Sequence, residues 1–143
     1  MRIDGLPELE RILRGALEPR AEVLEAYLFG SWARGEAVGH SDVDVAVYVD
    51  PGRVQESTFG YQAELTGELM AALGIDDVDV VVLNQAPALL YHRVLRDGRR
   101  LLSRDLVATT TREGRALSRY CDLVPHLAKV ETVARRRAAQ GAR

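Results

Sequence analysis

The sequence has little that would indicate secretion, a membrane or a disulfide framework. It contains one cysteine, Cys121, so no intramolecular disulfide can form, and a lone cysteine in a helical segment is usually a small core residue. No apolar run approaches the roughly 18 residues that span a bilayer. Residues 1–7 lack the basic region and apolar core of a signal peptide. We therefore expect a cytoplasmic protein that makes no membrane contact.

An excess of charge of one sign is also lacking. The formal net charge is −2, which argues against nucleic acid as the main ligand. From Arg112 onward, however, Arg and Lys outnumber Asp and Glu, and residues 135–137 are three consecutive arginines. This basic segment is typical of a solvated helix end, and a docking surface for an acidic partner is the alternative. Walker-type loops, Rossmann fingerprints and nucleophile elbows are absent from the sequence.

The length and composition suit one soluble domain. The chain has 143 residues, of which 47% are hydrophobic and 28% are charged, and no repeat or linker divides it. We expect a single domain over residues 1–143, with a helical C-terminal segment from about residue 104.

The hydrophobic pattern alternates between helical and strand spacing. Val43, Val45, Val47 and Val49 alternate strictly, as in a strand with one buried face. The order predicts an α/β (α+β) domain with a small mixed sheet flanked by helices. The predicted elements are a helix at 6–18, a strand at Val23–Phe29, a turn or short helix at Ser31–Gly35, a strand at Val43–Val49, a helix at 54–73, a strand at Val78–Leu83, a helix at Pro87–Leu95, an edge strand at Arg100–Ser103, and a helix from Asp105 that is interrupted at Pro125.

Two carboxylates begin the valine-rich strand. Asp42 and Asp44 are two residues apart, so their side chains project to the same side of the sheet. Such neighbours repel each other unless a cation lies between them, and Mg²⁺ prefers carboxylate, water and phosphate oxygens. Taken alone, the Asp-x-Asp pattern fits a magnesium site and a pair of solvated aspartates equally well.

The flanking residues favour the magnesium site. Gly30 and Ser31 follow a strand directly, and glycine lets a backbone approach a phosphate closely. Ten residues separate Ser31 from Asp42, so a phosphate cradle and a metal pair could face each other. Asp79 stands within an apolar strand, where an aspartate needs a partner, and it can meet the pair if the two strands are neighbours. It would complete the metal site or act as a base on an attacking hydroxyl.

The order of these residues resembles the nucleotidyltransferase superfamily of DNA polymerase β type. Gly30-Ser31, ten intervening residues, Asp42-x-Asp44 and a later strand with a single aspartate form that pattern. The short length resembles the minimal nucleotidyltransferase (MNT) branch, as do the stretches at 78–102 and 115–125. The resemblance covers most of the chain and implies the nucleotidyltransferase fold.

The resemblance also implies a function. Asp42, Asp44 and Asp79 would be the catalytic, Mg²⁺-binding residues, and Gly30 and Ser31 would hold the nucleotide. Many members of the branch resemble antitoxins that transfer AMP from ATP to a tyrosine of a HEPN-type ribonuclease toxin encoded by a neighbouring gene. Two alternatives are a small-molecule (aminoglycoside-type) nucleotidyltransferase, for which 143 residues leave little room for an acceptor-binding domain, and a non-catalytic antitoxin that acts by occlusion.

Several nearby residues are weaker candidates for contact with the nucleotide or the metal. Trp32 stands where many relatives have arginine, so Arg34 is the remaining cationic candidate for nucleotide contact. Trp32 could stack on a base or simply pack against the core. His40, beside Ser41, could touch a phosphate, although a loop histidine next to an acid is more often incidental. Asp76 and Asp77 are typical of solvated loop residues.

Overall fold

A computed structural model describes residues 3–37 and 41–141 of the chain. Within these residues, nine helices and strands alternate in an order close to the predicted one. The elements are α1 (Leu6–Leu17), β1 (Val23–Phe29), α2 (Gly30–Ala33), β2 (Val43–Val49), α3 (Tyr61–Leu73), β3 (Val78–Val82), α4 (Ala88–Asp97), β4 (Arg99–Ser103) and α5 (Leu106–Gly141).

The four strands form one mixed sheet in the order β3-β2-β1-β4. β1 pairs antiparallel with β2 and with β4, whereas β2 and β3 are parallel. The prediction of a small mixed sheet flanked by helices is therefore confirmed, and β4 is an edge strand as expected. The polypeptide from β2 to β3 crosses over through α3, as a parallel pair requires.

The two faces of the sheet bury different residues. Val43, Val45, Val47 and Val49 face α1 and α3, where they join the larger hydrophobic cluster. Ala46 and its neighbours on the opposite face belong to a second cluster under α4 and α5. Alternation along β2 therefore places every second side chain, from Asp44 onward, on the face covered by α4 and α5.

The helices on the first face have regular apolar stripes. In α1, Leu9, Leu13 and Leu17 recur every four residues and are fully buried. In α3, Leu65, Leu69 and Leu73 do the same. This spacing keeps the three leucines of each helix on one side, so both helices pack on the valines of β2.

The helix predicted over residues 54–73 begins seven residues late, at Tyr61. Gly60 precedes it with a φ of 88°, which a right-handed helix does not contain, and Pro51–Arg53 form a short 3-10 turn instead. The Asp50 side chain accepts the Gly52 N–H across that turn. β3 ends at Val82 because residues 83–85 form a second 3-10 turn.

The C-terminal helix was predicted to be interrupted at Pro125, but α5 continues through it from Leu106 to Gly141. The proline removes one backbone N–H donor, and its surroundings are exposed, so water can bind the carbonyl left free. The expectation that Cys121 is a core residue is wrong, because this cysteine is exposed on α5. No helix within the described residues is long and apolar enough to cross a membrane.

A buried ion pair holds α5 on the sheet. Glu25, on β1, is fully buried, and both of its carboxylate oxygens accept hydrogen bonds from Arg112 of α5, at 2.8 and 2.6 Å. The Thr109 hydroxyl donates a third hydrogen bond to Glu25 at 3.0 Å. The Arg112 guanidinium also lies over the ring of Tyr48, 4.8 Å from its centroid. These contacts fix both the position and the rotation of α5.

We predict that Glu25→Ala lowers the free energy of unfolding by about 3 kcal/mol, because Arg112 and Thr109 lose the partner of their buried hydrogen bonds. Urea denaturation followed by circular dichroism measures the change. Glu131→Ala is the matched control, since Glu131 pairs with Arg135 on the exposed part of α5, and it should cost less than about 1 kcal/mol. Equal costs for the two variants would contradict this assignment.

Candidate active site

The strand register brings two of the predicted aspartates side by side. In the parallel pair, Asp44 of β2 lies opposite Asp79 of β3. Neighbouring residues at matched register in a sheet project to the same face, so both carboxylates lie on the face covered by α4 and α5. Asp42 comes just before β2 and is exposed, as is Asp79, whereas Asp44 is half-buried.

The turn after β1 brings the backbone of Gly30 against the same carboxylate. Phe29 pairs with Asp44 across the antiparallel ladder, and Gly30 follows with a φ of 76°. A Cβ atom added to Gly30 would lie 2.1 Å from Oδ2 of Asp44. Two independent constraints, a positive φ and lack of space, therefore require glycine here. Ser31 follows in α2, which is a single turn beside Asp44.

The electrostatics of Asp44 reflect this crowding. Burial, and after it the negative charges of Asp79 and Asp42, together raise the pKa of its carboxyl from the ordinary 3.8 to about 6. Arg34 lowers it, but not enough to compensate. Asp42 and Asp79 therefore lie within electrostatic range of Asp44, and the negative charge around Asp44 is not fully balanced.

Arg34 has carboxylate partners of its own. Its Nε donates to Glu36 at 3.0 Å, and its Nη1 lies 3.8 Å from Asp97 of α4. Glu36 lies among the ten residues between Ser31 and Asp42, whereas no local pattern indicates that Asp97 would reach the site. A role for Arg34 in nucleotide contact stays a prediction, since a nucleotide phosphate would have to compete with these carboxylates.

The three carboxylates have the right chemistry to bind a hard divalent cation, although they do not converge on one point. Among residues 3–37 and 41–141, no three His, Cys, Asp or Glu side chains converge as a ready-made metal site. Mg²⁺ commonly takes only one or two protein carboxylates and completes its shell with water and substrate phosphates.

The remaining candidates are less involved. Trp32 packs partly buried against the larger core cluster, which favours the packing role over base stacking. Asp76 and Asp77 are exposed loop residues, as expected. Gly39 and His40 lie outside the described residues.

Comparison with protein families establishes the family membership that the motif indicated. Residues 12–106 match the family described as Polymerase beta, Nucleotidyltransferase. The chain belongs to that family. The match includes Gly30, Ser31 and all three aspartates, and it ends where α5 begins.

Solved structures with the same fold are also similar to this nucleotidyltransferase over most of its length. One is a crystal structure of a toxin–antitoxin with AMP-PNP, whose matching chain is 25% identical, with a TM-score of 0.70, covering 87% of this chain and 98% of that one. A second is the complex of a tri-AMPylated Shewanella oneidensis HEPN toxin with its MNT antitoxin, at 23% identity and a TM-score of 0.68, covering 90% and 98%. A third is the toxin–antitoxin MntA-HepT, at 23% identity and a TM-score of 0.66, covering 88% and 97%. Curated proteins gave no significant match.

We predict that Gly30→Ala displaces the Asp44 carboxylate and destabilises the fold by more than about 1 kcal/mol, because it adds a clash to backbone strain. Gly35→Ala is the matched control: Gly35 has a φ of 74°, but a Cβ there would meet nothing within 4 Å. Thermal unfolding of both variants separates the clash from the strain. The close approach of Gly30 to Asp44 is refuted if both variants lose the same stability.

In metal-free solution at pH 8, we predict that Asp44→Asn raises the free energy of unfolding by about 1 kcal/mol, after discounting for solvent screening of a half-buried carboxylate. Because the folded-state pKa of Asp44 is raised, its protonation stabilises the fold, and this contribution is lost as the pH rises through about 6. The advantage of Asp44→Asn should therefore shrink as the pH falls from 8 to 4.

Thermal melts in EDTA across this pH range measure the effect. Asp76→Asn, which changes an exposed loop aspartate, should leave the stability unchanged. An Asp44→Asn variant less stable than the unmodified protein at pH 8 would argue against the repulsive cluster.

Proposed function

We propose that this nucleotidyltransferase is an antitoxin that transfers AMP from ATP to a hydroxyl, preferably a tyrosine, of a HEPN-type toxin and so neutralises it. The single observation that supports this best is the alignment of Asp44 with Asp79 beside the Gly30 turn. It assembles a carboxylate cluster next to a backbone that a phosphate can approach, as nucleotidyl transfer requires.

The roles of the residues follow from that arrangement. Gly30 and Ser31 would hold the triphosphate of ATP, with Arg34 as a further cationic contact. The acceptor oxygen would attack the α-phosphorus, the bond to the bridging oxygen of the β-phosphate would break, and pyrophosphate would leave. Asp79 is exposed and adjacent to Asp44, where it could accept the proton of the acceptor hydroxyl.

Asp42 and Asp44, with Asp79 beside them, would bind Mg²⁺. The ion would neutralise the charge that develops on the phosphate oxygens. The unmet need for positive charge at Asp44 supports this assignment, because a cation is the simplest means of relieving it.

The class of acceptor is proposed from the solved relatives. Their chains are covered almost completely by this one, and they are components of toxin–antitoxin complexes, one with AMP-PNP and one with an AMPylated HEPN toxin. A protein hydroxyl is therefore the favoured acceptor.

The test is a transfer assay with the purified protein, Mg²⁺, a HEPN-type protein encoded beside it, and ATP labelled at the α or the γ phosphate. We predict that only α-labelled ATP labels the acceptor. Asp44→Asn should reduce the rate by at least about a hundredfold, because it removes a carboxylate that would hold the Mg²⁺ ion. Asp76→Asn, an exposed aspartate outside the cluster, should retain the full rate.

Labelling from γ-labelled ATP would identify phosphoryl transfer instead and contradict the proposal. Neutralisation of the toxin that survives Asp42→Asn with Asp44→Asn would show that occlusion, not AMP transfer, inhibits the partner. Label on a small molecule and not on protein would identify the alternative class of acceptor.

A further inference from the structure

A basic pocket lies at the junction of α5 with β2 and α4, away from the aspartate cluster. Its volume is about 840 Å³, within the range of ligand-binding pockets. Tyr48 of β2 and Tyr91 of α4 line it on one side, and one face of α5 lines it on the other. The family match ends at the start of α5, and neither the motif nor the proposed transfer step uses these residues.

Three arginines of α5 give the pocket its charge. Arg112, Arg115 and Arg119 are spaced three and four residues apart, so they share one face of the helix, and all three line the pocket. Among the described residues, no acidic side chain lines it. Glu25 balances the charge of Arg112, whereas no ion pair among the described residues includes Arg115 or Arg119. Two like charges held one turn apart without a carboxylate are unfavourable unless an anion joins them.

Tyr91 provides a second, independent indication of a ligand. It is only 1% exposed and lines the pocket, yet its hydroxyl has no hydrogen-bond partner within the described part of the chain. Buried hydroxyls are almost always paired, and an orphaned one needs an explanation. The Arg119 guanidinium lies over the same ring, 6.0 Å from its centroid. A carboxylate that entered the pocket would give the Tyr91 hydroxyl a hydrogen-bond acceptor and would place a negative charge near Arg119.

The pocket opens on the face of the sheet that carries the candidate active site. Asp44 and Tyr48 lie on the same side of β2, four residues apart, which corresponds to roughly 13 Å along a strand. A polypeptide of only a few extended residues spans that distance. A segment bound in the pocket could therefore belong to the same molecule whose hydroxyl reaches the aspartates.

We propose that this pocket binds an acidic segment, containing Asp or Glu side chains, of the protein that accepts AMP. The inference rests on the proposed function for the identity of the acceptor. Guanidinium groups bind carboxylates through paired hydrogen bonds, so Arg115 and Arg119 are the recognition residues. The pocket anchors the acceptor and takes no part in the chemical step.

The aromatic residues argue against a nucleotide as the occupant. A base would need a free ring face on which to stack. Arg112 occupies one face of the Tyr48 ring, and Tyr91 is buried beneath Arg119. The positive charge and the open shape of the pocket both suit a peptide chain with carboxylate side chains.

The first test is direct binding of fluorescein-labelled octaglutamate to the full chain, followed by anisotropy. We expect saturable binding that weakens at least about tenfold in Arg115→Glu with Arg119→Glu. The matched control is Arg136→Glu with Arg137→Glu, which makes the same change of net charge on the exposed end of the same helix. It should weaken binding less than about twofold. No saturable binding, or equal losses in both variants, would overturn the proposal.

A second pair of variants fills the pocket without changing its charge. Gly114 lines the pocket inside α5, and a Cβ there meets no atom within 4 Å, so packing does not require glycine. Gly114→Leu should therefore preserve folding and reduce octaglutamate binding. Gly67→Leu, at an equally open position inside α3, should leave binding unchanged. Undiminished binding by Gly114→Leu would place the peptide elsewhere.

Steady-state transfer to the HEPN-type acceptor then separates anchoring from catalysis. Arg115→Glu with Arg119→Glu should raise the KM for the acceptor about tenfold and leave kcat and the KM for ATP unchanged. A raised KM for ATP would assign the pocket to the nucleotide and refute the inference. If the unmodified protein transfers no AMP, the proposed function fails, and the octaglutamate experiment still decides whether the pocket binds acidic peptides.

Discussion

The close approach of the Gly30 backbone to the Asp44 carboxylate is the constraint on which the candidate site depends. It exists because β2 has an antiparallel neighbour on one side and a parallel one on the other. The antiparallel ladder ends with Phe29 opposite Asp44, so the turn after β1 must fold beside that aspartate. The parallel ladder brings Asp79 to the other side. A shift of one residue in either register would turn one set of side chains to the opposite face and dismantle the site.

This arrangement places a destabilising cluster at the end of a stable core. Asp44 is partly desolvated beside two other acids, while Val43 and Val45 on either side of it are fully buried. The apolar stripes of α1 and α3 hold β2 in place from the opposite face. The core thus supplies the stability that allows the strand to hold carboxylates that repel each other. Catalytic sites commonly combine a stable core with local strain, because the strain persists only where the surrounding structure is rigid.

The sequence indicates the parts of this molecule that local patterns determine. Strict alternation gave the bounds of β2, and the spacing of Gly30, Ser31, Asp42 and Asp44 indicated the chemistry that the family match supports. The late start of α3 depends on the backbone of Gly60, which composition does not reveal. The exposure of Cys121 and the continuity of α5 depend on how far α5 extends beyond the sheet. These properties are tertiary, so no short window of sequence contains them.

The basic residues of α5 show most clearly why charge counts along a chain are insufficient. Before folding, Arg112, Arg115 and Arg119 are equivalent members of one basic segment. Folding brings Glu25, 87 residues away, to Arg112 alone. That single buried pair fixes the position and the rotation of α5. It neutralises the guanidinium of Arg112, and the resulting rotation directs those of Arg115 and Arg119 into the pocket. The same contact that completes the fold therefore determines which positive charges remain available to a partner.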